Sequence, residues 1–174
     1  QLNNLNILIF GFGRLGKKFA RYCEAFDSQI YIYDPYVEIE EKYNIVNNLD
    51  EVKSIIDVIS IHAHVTEETN HFFDKNFFKG CKETLSIINT SRGELINEKD
   101  LIDFLEQNPK SSIASDVVDG EIFGFEKSSL FKFSLTSEQV LLTPHIAGMT
   151  SDAQEIAYYH AAFLLSECAN QFHE

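Results

Sequence analysis

Cysteine is scarce in this sequence. Cys23, Cys81 and Cys168 are odd in number and far apart, and no C-x-x-C pair occurs. Neither a disulfide framework nor a zinc site is therefore expected, and the thiols fit a reducing, cytoplasmic compartment. Long apolar runs are absent as well. None approaches the roughly 20 residues needed to cross a bilayer. The opening Gln1-Leu2-Asn3-Asn4 has neither the basic start nor the apolar stretch of a secretion signal. With three prolines, no internal repeat and no low-complexity tract, no linker or array is indicated. Positive charge is also in short supply, with 14 Lys and Arg against 27 Asp and Glu and a net charge of −13. Such a chain repels phosphate backbones and anionic surfaces, which excludes nucleic acid and membranes as expected partners.

What is present is ordinary globular material: 174 residues, 44% hydrophobic and 24% charged. That length suits one domain with a substantial core. Because the first apolar run begins almost at Gln1, residues 1–174 are expected to be one domain of a longer, two-domain protein. Short apolar runs alternate with amphipathic stretches, the pattern of a parallel sheet flanked by helices. The runs are Ile7–Phe10, Ile30–Tyr33, Val58–Ile61, Leu85–Ile88, Ile113–Val118 and Val140–Leu142, with Ile45-Val46 as a short edge strand. Several are β-branched on both faces, as expected of strands buried between two helical layers.

Helices are expected between these runs. Leu15, Phe19, Tyr22, Cys23 and Phe26 recur at helical spacing and predict a face turned to the sheet. Asn97 is placed to cap a helix whose stripe is Leu101, Ile102 and Leu105. Ser151 and Gln154 form a capping-box pattern before a long last helix, with Ile156, Ala157, Ala161, Leu164 and Cys168 along one side. Residues 120–139 read as a long loop with at most a short helical turn.

Gly11-Phe12-Gly13-Arg14-Leu15-Gly16 is a G-x-G-x-x-G sequence lying between an apolar strand and an amphipathic helix. In that context the first glycine makes a tight turn and the second lets a pyrophosphate approach the backbone. The third lets helix and strand meet closely, and the phosphates rest on the helix N-terminus. Gly11, Gly13, Arg14, Leu15 and Gly16 are thus candidate cofactor-binding residues in a doubly wound α/β domain of the Rossmann type. The second run ends in Asp34, eighteen positions beyond Gly16. A carboxylate there accepts hydrogen bonds from the adenosine ribose hydroxyls and repels a 2′-phosphate. Two unit charges about 4 Å apart at intermediate dielectric oppose each other by roughly 4 kcal/mol before screening. No Arg or Lys follows in Pro35-Tyr36-Val37 to offset this, so NAD rather than NADP is predicted.

Three later segments follow or end predicted strands: Ile88-Asn89-Thr90-Ser91-Arg92-Gly93-Glu94, Ser115-Asp116-Val117-Val118-Asp119-Gly120-Glu121, and Leu141-Leu142-Thr143-Pro144-His145-Ile146-Ala147-Gly148. Carboxyl ends of strands line the ligand crevice of an open parallel sheet, so an arginine, a carboxylate and a histidine are expected to converge beside the nicotinamide. The ordered series G-F-G-R-L-G, Y-D-P-Y, N-T-S-R-G, A-S-D-V and T-P-H-I-A-G resembles the D-isomer-specific 2-hydroxyacid dehydrogenases, over nearly the whole of that family's nucleotide-binding domain. The resemblance implies Arg92 as the substrate arginine, Glu121 as the carboxylate and His145 as the acid/base. It also implies Asp116 at the nicotinamide carboxamide, and Thr90, Ser91, His62, Ala63, Thr69 and Gly148 around the cofactor. The implied activity is hydride transfer between NAD(H) and a small 2-hydroxy or 2-keto acid. A homodimer is implied for the intact protein, with most of the substrate-binding domain lying outside this segment.

The chemistry asks for these residue types. A histidine titrates near the working pH and serves as proton donor to the carbonyl oxygen. A neighbouring carboxylate favours its imidazolium. The planar fork of arginine grips the substrate carboxylate in two bonds. Departures from the family pattern leave alternatives open. Ile122 follows Glu121 where the family has proline, Val118 stands where an aromatic is common, and Asp119 is a second candidate carboxylate. His64 replaces a proline and shares a strand face with His62, but no third ligand is evident and no metal is expected. A non-enzymatic NAD-sensing scaffold, like the family's corepressor branch, and an inactive paralogue would carry the same residues.

Overall fold

The computed structural model describes residues 2–40 and 42–171, with side chains through 169. Seven strands form one wholly parallel sheet: β1 (Asn6–Phe10), β2 (Gln29–Tyr33), β3 (Asn44–Ile45), β4 (Val58–Ile61), β5 (Ser86–Asn89), β6 (Ser112–Ser115) and β7 (Val140–Leu142). Their spatial order is β3-β2-β1-β4-β5-β6-β7. Strand order reverses between β1 and β4, and ligands of such sheets bind outside the carboxyl ends at that switch point. The helices are α1 (Arg14–Glu24), α2 (Lys75–Phe78), α3 (Glu98–Gln107), α4 (Ser129–Ser134) and α5 (Ser151–Gln171). The chain divides into two compact units, Gln1–Pro144 and His145–Glu174, each described by itself.

Alternation along β1 builds two cores. Ile7 and Ile9 join Phe12, Ala20, Cys23, Ile30 and Ile32 on one face. Leu8 and Phe10 join the other, where Phe73, Phe77 and Phe78 meet Leu101, Phe104 and Leu105 of α3. Fully burying a side chain of this size contributes about 1.5–3 kcal/mol. β1 is therefore covered on both sides, as the sequence suggests. β5 and β6 are not: each alternates between buried and half-buried positions. Ser86, Ile88, Ser112 and Ala114 occupy the half-buried ones, and the hydroxyls of Ser86 and Ser112 lie 3.2 Å apart across the two strands. β6 also stops at Ser115, three residues before the expected end.

Several helical expectations need correction. α1 turns Gly16, Ala20 and Cys23 inward, while Leu15 and Tyr22 are 65% and 67% exposed and Phe26 lies beyond the helix end. The close approach at Gly16 decides the face, because small residues let α1 sit directly against the sheet. α3 matches its expected start, with the Asn97 side chain accepting from the Asp100 N–H. Its inner face adds Phe104 to Leu101 and Leu105. Residues 120–139 hold more structure than a loop: two 3-10 turns (Glu121–Phe123 and Phe125–Lys127) followed by α4. The cap of α5 is Thr150, not Ser151. Thr150 accepts the Ala153 N–H on its hydroxyl and the Gln154 N–H on its carbonyl. The Gln154 amide reaches the Met149 Sδ instead of closing a capping box. Within α5 itself, Ile156, Leu164 and Cys168 are exposed. Among the described residues no helix is long and apolar enough to cross a membrane.

Candidate functional site

The glycine loop follows β1 at the switch point, and each glycine has a distinct physical reason. Gly11 adopts φ +95°, and a Cβ there would lie 2.8 Å from the backbone of His62 and Ala63. A Cβ at Gly16 would lie 2.2 Å from the Gly11 carbonyl oxygen, so the first turn of α1 can approach the loop only without a side chain. Gly13 differs, because its Cβ would meet no protein atom within 4 Å. That open space at the N-terminus of α1 is where a pyrophosphate fits, with unpaired N–H groups and the positive end of the helix dipole directed at it.

Asp34 ends β2 and clamps this loop. Its Oδ2 accepts the Phe12 N–H at 2.7 Å and its Oδ1 accepts the Tyr36 N–H at 2.9 Å. A carboxylate has about four acceptor directions, so two remain for ribose hydroxyls. Beside it opens a cavity of about 340 Å³. Phe10, Gly11, Gly13, Tyr33, Asp34 and Phe72 line one part of it, and Pro35, Tyr36, Val37, His62, Ala63, His64, Thr66, Glu68 and Thr69 the rest. Gly11, Gly13, Asp34, His62, Ala63 and Thr69 thus meet at one cavity. Arg14 and Leu15 are exposed on the first turn of α1 and do not line it.

The walls are internally braced. The Thr66 and Thr69 hydroxyls each accept the other residue's N–H, at 3.2 and 2.8 Å, and Thr69 Oγ1 donates to the His64 carbonyl at 2.7 Å. Thr69 therefore builds the turn, and its hydroxyl is already engaged. His62 Nε2 lies 2.9 Å from Ser60 Oγ, and burial holds its pKa below the ordinary 6.5. His64 is exposed, and among the described residues no three His, Cys, Asp or Glu side chains group as a metal site requires.

The segment after β5 is shaped by a buried asparagine that the sequence reading did not single out. Asn89 accepts the Ser91 N–H on Oδ1 and donates from Nδ2 to the Arg92 carbonyl. Its signal was an Asx pattern at a strand end, the usual side-chain mimic of a turn. Ser91 donates its hydroxyl to the Ala63 carbonyl, Thr90 is exposed, and the exposed Arg92 donates from Nη1 to the Ser91 carbonyl at 2.7 Å. A Cβ at Gly93 would stand 2.0–2.3 Å from the Val118–Asp119 peptide. The loop carrying Arg92 and the loop leading to Glu121 are therefore in direct backbone contact.

Gly120, at φ +66°, turns the second loop so that Glu121 opens a 3-10 turn and accepts the Val118 N–H on Oε2 at 3.4 Å. Asp119 is directed elsewhere: its carboxylate lies 2.9 Å from His71 Nε2, and its N–H donates to Glu98 Oε1. The buried Glu98 also accepts the Ser128 hydroxyl and the Leu130 N–H, fixing this loop to α3 and α4. Asp116 is buried at the end of β6, where its carboxylate accepts the Thr143 hydroxyl from the end of β7. His145 and Gly148 belong to the second unit. There His145 takes φ +52°, an uncommon conformation for a side-chain-bearing residue, and Gly148 sits in the turn closed by the Met149 N–H and the Ile146 carbonyl.

A switch-point glycine loop, a strand-end carboxylate and an adjoining cavity define an α/β dinucleotide-binding domain. Comparison with known proteins carries this further. The family described as "D-isomer specific 2-hydroxyacid dehydrogenase, NAD binding domain" matches residues 1–147, and the chain belongs to it. It is similar to D-lactate dehydrogenase of Staphylococcus aureus, 30% identical, over 87% of this chain and 49% of that protein. Similarity to erythronate-4-phosphate dehydrogenase of a Psychrobacter species is 32% over 84% of this chain and 38% of that protein. The chain thus spans less than half the length of these curated relatives. The solved D-lactate dehydrogenase of Aquifex aeolicus, complexed with NAD and lactic acid, superposes with a TM-score of 0.86 at 28% identity. That match covers 98% of this chain and 55% of the other.

Proposed function

We propose that the intact protein transfers hydride between NAD(H) and a small 2-hydroxy or 2-keto acid, and that this chain supplies the cofactor-binding domain and the catalytic side chains. The observation that carries the reading is the joining of two features in one unit. The glycine loop, Asp34 and the adjoining cavity fit a dinucleotide, and the Arg92 loop, interlocked with the Glu121 loop through Gly93, lies at the same carboxyl edge of the sheet. NAD(H), when bound, supplies the hydride donor or acceptor. Arg92 grips the substrate carboxylate through its planar fork. His145 gives a proton to the carbonyl oxygen in reduction and takes one from the hydroxyl in oxidation. Glu121 holds the imidazolium, a role favoured for it because the Asp119 carboxylate is directed to His71. Asp116 faces the nicotinamide amide, and Thr90, Ser91 and Gly148 complete the cofactor's surroundings.

The two similar dehydrogenases act on different acids, by their names, so the identity of the acid is proposed only as a class. Residues 1–174 alone are proposed to bind NADH but to turn over keto acids poorly, with the substrate carboxylate also held by a second domain. The intact protein is proposed to be cytoplasmic and homodimeric. The exposed apolar residues of α5, Tyr158, Tyr159 and Leu165 among them, support its burial against further protein.

The test is a panel of 2-keto acids with NADH and the full-length protein, wild type beside His145→Gln and Arg92→Gln. Loss of at least about 100-fold in kcat/KM for each variant is expected, the ordinary scale for a general acid or a bidentate clamp. Wild-type kcat/KM in both variants would remove these residues from the reaction. NADH binding with no turnover of any acid would favour the sensing scaffold.

A further inference from the structure

The cavity lining carries a second carboxylate that the glycine loop and Asp34 do not account for. Glu68 lines the cavity, and the Tyr36 hydroxyl donates to its Oε2. Tyr36 is bound at both ends. Its N–H donates to Asp34 Oδ1, and its ring reaches across to Glu68, so the two carboxylates stand one tyrosine's span apart. The turn that presents Glu68 is fixed independently by the reciprocal Thr66 and Thr69 hydrogen bonds and by the Asn70 N–H on the Thr66 carbonyl. Glu68 is thus held in place from its backbone and from its carboxylate. Among the described residues lining the cavity there is no lysine or arginine to offset the two negative charges.

We infer that Glu68, held across the cavity by Tyr36, is a second determinant of dinucleotide choice, excluding the 2′-phosphorylated form together with Asp34. The inference rests on the reading that this cavity takes the adenosine end of the dinucleotide. A 2′-phosphate beside Asp34 would enter the field of both carboxylates, whereas a 2′-hydroxyl would hydrogen-bond to Asp34 and leave Glu68 with Tyr36. Because Glu68 is exposed, its effect is sensitive to salt. No catalytic residue is involved, so the role is read in binding alone.

The experiment measures dissociation constants of NADH and NADPH by nicotinamide fluorescence, for wild type, Glu68→Gln, Glu68→Asp and Tyr36→Phe. Glu68→Gln is expected to narrow the NADH preference by about 3- to 10-fold, chiefly by tightening NADPH. Glu68→Asp retains the charge and is expected to retain most of the preference. Tyr36→Phe leaves the charge but releases it, and is expected to fall between wild type and Glu68→Gln. Raising the ionic strength to about 1 M, where the Debye length is about 3 Å, should erase most of the difference between wild type and Glu68→Gln. An unchanged NADH-to-NADPH ratio in Glu68→Gln, or an equal loss for both dinucleotides, overturns the inference while leaving the cavity reading intact. Failure of the wild type to bind NADH removes both.

Discussion

Asp34 and His62 each do a second job that the cofactor motif alone does not require. Asp34 ties the end of β2 to the glycine loop through the Phe12 N–H, so the shape of the loop and the proposed ribose recognition depend on one carboxylate. His62 sits between Ser60 and the Phe19 ring, whose centroid is 5.4 Å away, and burial disfavours its charged form. The pKa is lower in the folded protein than in the unfolded chain. The unfolded chain therefore binds more protons as the pH falls below 6.5. The stability contributed by neutral His62 is present above that value and is lost as the pH falls through it towards the folded pKa. Urea midpoints between pH 7.5 and 5 should drop more steeply in wild type than in His62→Gln, and parallel slopes would remove His62 from the acid sensitivity. The places of the individual glycines and of Asp34 were legible in the sequence because they follow from backbone geometry and spacing. Tyr36, Glu68 and Asn89 were not, because their partners lie on other segments or depend on which way a turn folds.

Elements were legible to the extent that their packing partners were local. Each of the seven strands overlaps a short apolar run, including the β3 edge, although β6 ends three residues early and β5 and β6 alternate rather than run continuously apolar. The face of α1 was misread because hydrophobicity was weighed above size. A helix held against a sheet at Gly16 turns its small residues inward and its Leu15 outward. α4 and the turns before it were hidden because the Glu98 network that orders them begins on α3, some thirty residues earlier in the chain. A similar long-range contact joins the end of α3 to β7. Gln139 Nε2 donates to the carbonyls of Leu105, Asn108 and Ser111 at 3.0, 3.0 and 2.8 Å, so two hydrogens serve three acceptors at a helix end. Gln139→Ala is expected to cost about 1–3 kcal/mol in urea unfolding, because the Ser111 carbonyl loses its donor while those of Leu105 and Asn108 keep only the Asn108 and Ser111 N–H groups. A change below about 0.5 kcal/mol, the ordinary effect of a surface substitution, would show that the Ser111 carbonyl is satisfied without it.

The domain as a unit must bring an anionic cofactor to a chain of net charge −13. Four basic side chains, Arg14, Lys17, Lys18 and Arg21, lie on α1, whose N-terminus faces the glycine loop. They set a local positive field against the acidic remainder. The motifs before residue 145 sit along the sheet of the first unit, and the family match over residues 1–147 agrees with the resemblance they carry. Everything proposed for the site depends on a dinucleotide lying over Gly13. Gly13 has ordinary extended backbone angles, φ −73° and ψ −158°, and open space around its missing Cβ. Gly13→Val should therefore fold with an unchanged melting temperature while its side chain occupies the pyrophosphate position. Calorimetric titration with NADH is expected to show binding in wild type and at least about tenfold weaker binding in Gly13→Val, a loss of 1.4 kcal/mol or more. Equal affinity in the two proteins, or no binding to wild type, would contradict the account.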